Sequence, residues 1–167
     1  MKVKKIGHVA LRVASEERSR NFYRDVLGFR VSEEDPEHGG VFMTLGDDFH
    51  TIDVFGHPDP DNAPRPQADQ VGLFHIAFQV GDYRELKEVF CSLLEHDVTI
   101  NRCVDHVSQR SIYFSDPDGN RLEVYYEMPD ALERFETEGR GDQDVVLPIT
   151  AKGEALPAWL DEQWPAP

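Results

Sequence analysis

Cysteine is scarce in this chain: Cys91 and Cys103 are the only two among 167 residues. Their spacing fits neither a metal-ligand nor a redox motif, and two thiols do not make a disulfide framework. Basic residues are also few. Seventeen Lys and Arg stand against 32 Asp and Glu, a formal net charge of −15. That balance excludes nucleic acid and anionic membrane surfaces as partners, because both carry the same sign of charge. No apolar run approaches the roughly 20 residues needed to span a bilayer, and no signal-peptide pattern is visible. The expectation is a cytoplasmic protein with reduced thiols.

What is present is enough for one domain: 40% of residues are hydrophobic, which suffices to bury a core at this length. Residues 130–167 contain nine acidic and three basic residues and read as a solvated acidic extension. Within it, Leu156-Pro157-Ala158-Trp159-Leu160 is an apolar stretch able to dock on the body.

The most informative feature is an internal repeat. His8-Val9-Ala10-Leu11-Arg12-Val13 returns as His75-Ile76-Ala77-Phe78-Gln79-Val80, an offset of 67. Leu27 and Leu94 keep that offset, as do Val31 and Val98. With three inserted residues, Ile52-Asp53-Val54-Phe55 then matches Leu122-Glu123-Val124-Tyr125. Each half reads as strand, helix and three strands, so the expected class is α+β, built from two βαβββ modules. Period-two alternation places opening strands at 3–13 and 73–80. Ser15 caps the first helix and Gly28 ends it, with Phe22, Tyr23, Val26 and Leu27 inward. Asp82 caps the second, with Leu86, Val89, Phe90, Leu93 and Leu94 inward. Expected strands follow at 29–32, 41–45 and 49–55, then at 98–102, 109–115 and 121–126. The expected organisation is a single domain over 1–129, with modules at about 1–56 and 72–127. A linker of about 57–71 joins them and, being long and proline-rich, is expected to cover the mouth of a cleft.

Side chains alternate faces along a strand, so His8 shares a face with Ala10 and His75 with Ala77. Alanine leaves space beside each imidazole. Approximate symmetry then directs both rings to one place, and Glu123 on the last strand of the second module completes a set. Two neutral imidazoles and one carboxylate hold a divalent metal while leaving coordination positions free.

These paired His-x-Ala strands, with Tyr113-Phe114-Ser115-Asp116-Pro117-Asp118-Gly119-Asn120-Arg121-Leu122-Glu123, resemble the vicinal oxygen chelate superfamily. That group includes glyoxalase I, extradiol ring-cleaving dioxygenases, methylmalonyl-CoA epimerase and the fosfomycin and bleomycin resistance proteins. The resemblance spans residues 3–127, about three quarters of the chain. It implies a cupped mixed sheet around a metal held by His8, His75 and Glu123.

Within the superfamily, His50, His106 and Tyr113 resemble the acid–base histidine, the second pocket histidine and the substrate-contacting tyrosine of single-domain extradiol dioxygenases. The resemblance implies Fe(II), with Mn(II) as the alternative, a catechol-like diol and dioxygen as substrates, and a dimer. Phe49 stands where many relatives carry a second histidine, Val107 where glycine often follows, and Asp53 where ring-cleaving relatives carry a small apolar residue. Asp53 is the repeat mate of Glu123. As a fourth ligand it gives the alternative set His8, Asp53, His75 and Glu123, which resembles glyoxalase-like lyases and epimerases. A regular strand cannot aim both His50 and Asp53 to one side, so the two readings compete. A drug-sequestering resistance protein is a third possibility on the same fold.

Overall fold

The computed structural model describes residues 2–67, 69–137 and 144–164. The chain divides into two compact units. One comprises residues 1–70 with 116–119, and the other residues 71–115 with 120–167. The fold is α+β, with one mixed sheet in each unit.

In unit one the order is β1 (Val9–Val13), α1 (Glu16–Leu27), β2 (Arg30–Glu34), β3 (Val41–Thr44) and β4 (Ile52–Gly56). Ser15 Oγ accepts from the Arg18 N–H at the start of α1. Gly28, at φ 75°, closes it in the left-handed region that disfavours a Cβ. The strands lie in the order β1-β4-β3-β2. β1 runs parallel to β4, and the other two pairs are antiparallel. Helix α1 buries Phe22, Tyr23 and Val26 against this sheet. Phe29, Met43, Ile52 and Val54 complete the core.

The turn at 116–119 belongs to unit one because α1 holds it. Tyr23 is fully buried, and its hydroxyl donates to Asp116 Oδ2 at 3.2 Å. Asp118, 5% exposed, accepts from Arg18, Ser19 Oγ and the Ala14 N–H. Arg65 of the linker also pairs with Asp118. That pairing ties the linker to the turn.

Unit two repeats the plan with β5 (Ile76–Gln79), α2 (Tyr83–Glu95), β6 (Arg102–Asp105), β7 (Gln109–Ser115) and β8 (Arg121–Glu127). Asp82 caps α2 through the Glu85 N–H at 2.8 Å. The extension then adds α3 (Ala131–Thr137) and β9 (Val145–Leu147). β9 joins the edge of the sheet, giving β5-β8-β7-β6-β9, with β5 and β8 parallel. Leu86, Phe90, Leu93, Ile112, Phe114 and Leu122 form the core. Trp159 and Leu160, each 3% exposed, dock beside α2. The acidic extension is therefore partly structural.

Two opening strands are shorter than the alternation predicts. β1 begins at Val9 and β5 at Ile76. Val3, Ile6, Leu73 and Phe74 are at least 66% exposed, and the pairing that makes a strand starts only where β4 and β8 run alongside. Strand β4 likewise starts at Ile52, not at residue 49.

Candidate metal centre

In both units a histidine at the mouth of the opening strand faces a carboxylate on the parallel neighbour. In unit one His8 immediately precedes β1, and the register pairs Ala10 with Asp53 and Asp53 with Phe42. In unit two His75 immediately precedes β5, and the register pairs Ala77 with Glu123 and Glu123 with Tyr113. The rungs are equivalent, so the repeat in the sequence is a repeat in the sheets. His8 Nε2 lies 3.6 Å from Asp53 Oδ2, and His75 Nε2 lies 3.0 Å from Glu123 Oε2. Both carboxylates are buried, Asp53 at 2% and Glu123 at 4% exposure.

The expectation that only one of His50 and Asp53 can reach the site is overturned. It assumed a strand from residue 49, but β4 starts at Ile52 and His50 precedes it. Freed from strand alternation, the imidazole turns back onto the same side as the carboxylate. His50 Nδ1 sits 2.7 and 2.8 Å from the two Asp53 oxygens. Its ring stacks on His8, with centroids 4.2 Å apart and planes 24° apart. His8, His50 and Asp53 thus offer ligand atoms within 4.8 Å of one another. Imidazole and carboxylate donors without thiolate suit iron, manganese or zinc, so the residues present fit a divalent metal.

In unit two a hydrogen-bonded chain leads away from Glu123. The Tyr113 hydroxyl donates to Glu123 Oε1 at 3.0 Å, and the Gln109 amide donates to the same oxygen at 3.4 Å. His106 Nε2 lies 2.9 Å from the Tyr113 hydroxyl. Burial, and then the charge of Glu123, push the Tyr113 phenol up to about 12. It is therefore a neutral donor at physiological pH. His75, Glu123, Tyr113 and His106 are thus brought together as the sequence predicts, and His8 and His50 meet in unit one.

The chain matches the Glyoxalase/Bleomycin resistance protein/Dioxygenase superfamily over residues 5–124. It belongs to that superfamily. Among its superfamily relatives, the catechol-2,3-dioxygenase of Bacillus subtilis (strain 168) is 31% identical over 80% of this chain and 45% of the relative. The metallothiol transferase FosB of Staphylococcus epidermidis is 29% identical over 74% of this chain and 84% of the relative. The solved glyoxalase/dioxygenase of Nostoc punctiforme gives a TM-score of 0.58 at 25% identity, covering 74% of this chain and 91% of the other. The chain spans only 45 to 62% of the length of the ring-cleaving relatives it matches.

Beyond the superfamily match lies what the motifs did not indicate. A cavity of about 210 Å³ in unit two is lined by His106, Gln109, Tyr113, Glu123, Phe135 and Asp144. Phe135 and Asp144 come from the extension. Asp144 Oδ1 lies 2.8 Å from His106 Nδ1, near enough for an ion pair but without hydrogen-bond alignment. No periodicity or motif distinguishes these two residues, and only the path of the chain after β8 brings them here.

Proposed function

We propose that this superfamily member is a metal-dependent extradiol dioxygenase that opens the ring of a catechol-like diol. In this reading His8, His75 and Glu123 hold the metal, Fe(II) or Mn(II). The observation that carries it is the chain from Glu123 through Tyr113 to His106 along one cavity, since ring cleavage needs hydrogen-bonding groups beside a site with open positions. Resemblance to the Bacillus enzyme supports the same reading. A metal held by two imidazoles and one carboxylate leaves room for both diol oxygens and dioxygen, and favours loss of the hydroxyl protons.

The protein's own groups do the rest. His50 takes a hydroxyl proton and later returns one. With Nδ1 engaged by Asp53, Nε2 is the nitrogen left to exchange it. Asp53 orients His50, as the carboxylate orients the imidazole in a catalytic triad. Tyr113 and His106 hydrogen-bond the bound diol and the oxygen charge that develops as the ring opens. A carbon–carbon bond beside the diol breaks, and both atoms of dioxygen enter the product. The protein would work as a cytoplasmic dimer on a small aromatic diol.

A second reading is favoured by one observation: buried Asp53 stands to His8 as Glu123 stands to His75. As a fourth ligand it would give a more fully ligated metal suited to proton transfer in a lyase or epimerase. Anaerobic loading with Fe(II), followed by catechols and air, separates the readings. Ring cleavage consumes oxygen and gives yellow products. A proton-transfer enzyme consumes none, and neither does a drug-sequestering protein.

A further inference from the structure

We infer that the segment following β8 is the substrate-selecting wall of the unit-two cavity: Phe135 limits it to a single ring, and Asp144 rejects catechols that carry a carboxylate. The inference rests on the ring-cleavage reading and names the substrate class it would take. At about 210 Å³ the cavity falls below the roughly 300–1,000 Å³ typical of ligand pockets. Phe135 contributes a flat apolar side to it, suited to an aromatic ring. The charge of the lining is one-sided. Among the described residues, Glu123 and Asp144 line the cavity and no Lys or Arg does.

In the proposed reading Glu123 is occupied by the metal, so Asp144 is the carboxylate that a ring substituent meets. Its Oδ1 is shielded from solvent and accepts no hydrogen bond. A buried acceptor without a donor is costly, and a substituent bearing N–H or O–H would satisfy it. A carboxylate substituent would face like charge with no cation to pair with. The preferred substrates are therefore single-ring catechols with a neutral, hydroxyl or amino substituent.

The test uses the full chain loaded with Fe(II). Under anaerobic conditions, calorimetry measures binding of catechol, 4-methylcatechol, 4-(aminomethyl)catechol, 3,4-dihydroxybenzoate and 2,3-dihydroxybiphenyl. Oxygen uptake on the same panel measures turnover. We expect 3,4-dihydroxybenzoate to bind at least about tenfold more weakly than 4-methylcatechol, the expected direction for juxtaposed like charges. Asp144→Asn should narrow that ratio to about threefold or less. Phe135→Ala should raise the affinity for the two-ring diol relative to catechol by at least about tenfold. Equal binding of the benzoate and 4-methylcatechol by the wild type overturns the inference. So does an unchanged ratio in a folded Asp144→Asn, or absence of binding by every catechol. Should Asp144→Asn fail to fold, the wild-type ratio and Phe135→Ala decide. Binding with these preferences but no oxygen uptake overturns the ring-cleavage reading and leaves the selecting wall standing.

Discussion

At the scale of single residues, the contact between His50 and Asp53 carries the most chemistry. Both Asp53 oxygens approach one imidazole nitrogen, and this fixes the ring while leaving its other nitrogen available. His50→Ala should retain the metal and lose turnover by about 10²–10⁴-fold, the usual contribution of a positioned acid–base group. Asp53→Ala should also retain the metal and lose about 10–100-fold, as expected for a residue that orients a site group. Metal content and oxygen uptake measured on both variants check this. Loss of metal in Asp53→Ala, with His50→Ala active, would favour the four-ligand reading. A second residue-scale prediction concerns Tyr23. Burial, followed by the charge of Asp116, raises its phenol well above the ordinary value. A raised folded value favours the protonated form, so this contribution to stability is fully present below about pH 10, the value for unfolded tyrosine. It is lost as pH climbs from there towards the folded value. Urea midpoints measured from pH 8 to 11 should fall for the wild type, and less steeply for Tyr23→Phe.

At the scale of elements, the two helices and their sheets were legible because their signals are local. Ser15, Gly28 and Asp82 act within one turn of their own position, and strands β7 and β8 are bracketed by a turn rich in Pro, Asp and Gly. The start of β4 was not legible. Alternation continues through Phe49 and His50, but a strand exists only where a neighbour pairs with it, and that pairing is a tertiary fact. The extension was illegible for a similar reason. Its charge indicates solvent, whereas Trp159 sits edge-on to Phe90 at 5.9 Å and donates from Nε1 to the Pro148 carbonyl at 2.8 Å. Trp159→Ala should destabilise the protein by about 3–5 kcal/mol, as large-to-small changes in cores do, measured by urea unfolding. The burial of Cys103 in β6, which raises its thiol to about 12, gives a simpler check. In the native protein at pH 8, Cys103 should resist alkylation until denaturant is added.

At the scale of the whole molecule, duplication explains why the site was readable at all. Each module places a histidine beside a buried carboxylate on equivalent rungs, so one motif met twice identifies His8, Asp53, His75 and Glu123 together. The proposed ligand set draws on both modules. His8→Ala, His75→Ala and Glu123→Ala should therefore each abolish tight metal binding, with thermal unfolding showing a fold largely retained. Dialysis followed by elemental analysis measures this, and wild-type stoichiometry in any of the three would remove that residue from the set. The claim that matters most is the reaction itself. Incubating the Fe(II)-loaded protein with 4-methylcatechol under ¹⁸O₂ and weighing the product by mass spectrometry tests it directly. The account predicts a ring-opened product that carries both labelled oxygen atoms, whereas unlabelled product, or substrate recovered intact with no oxygen consumed, would contradict it.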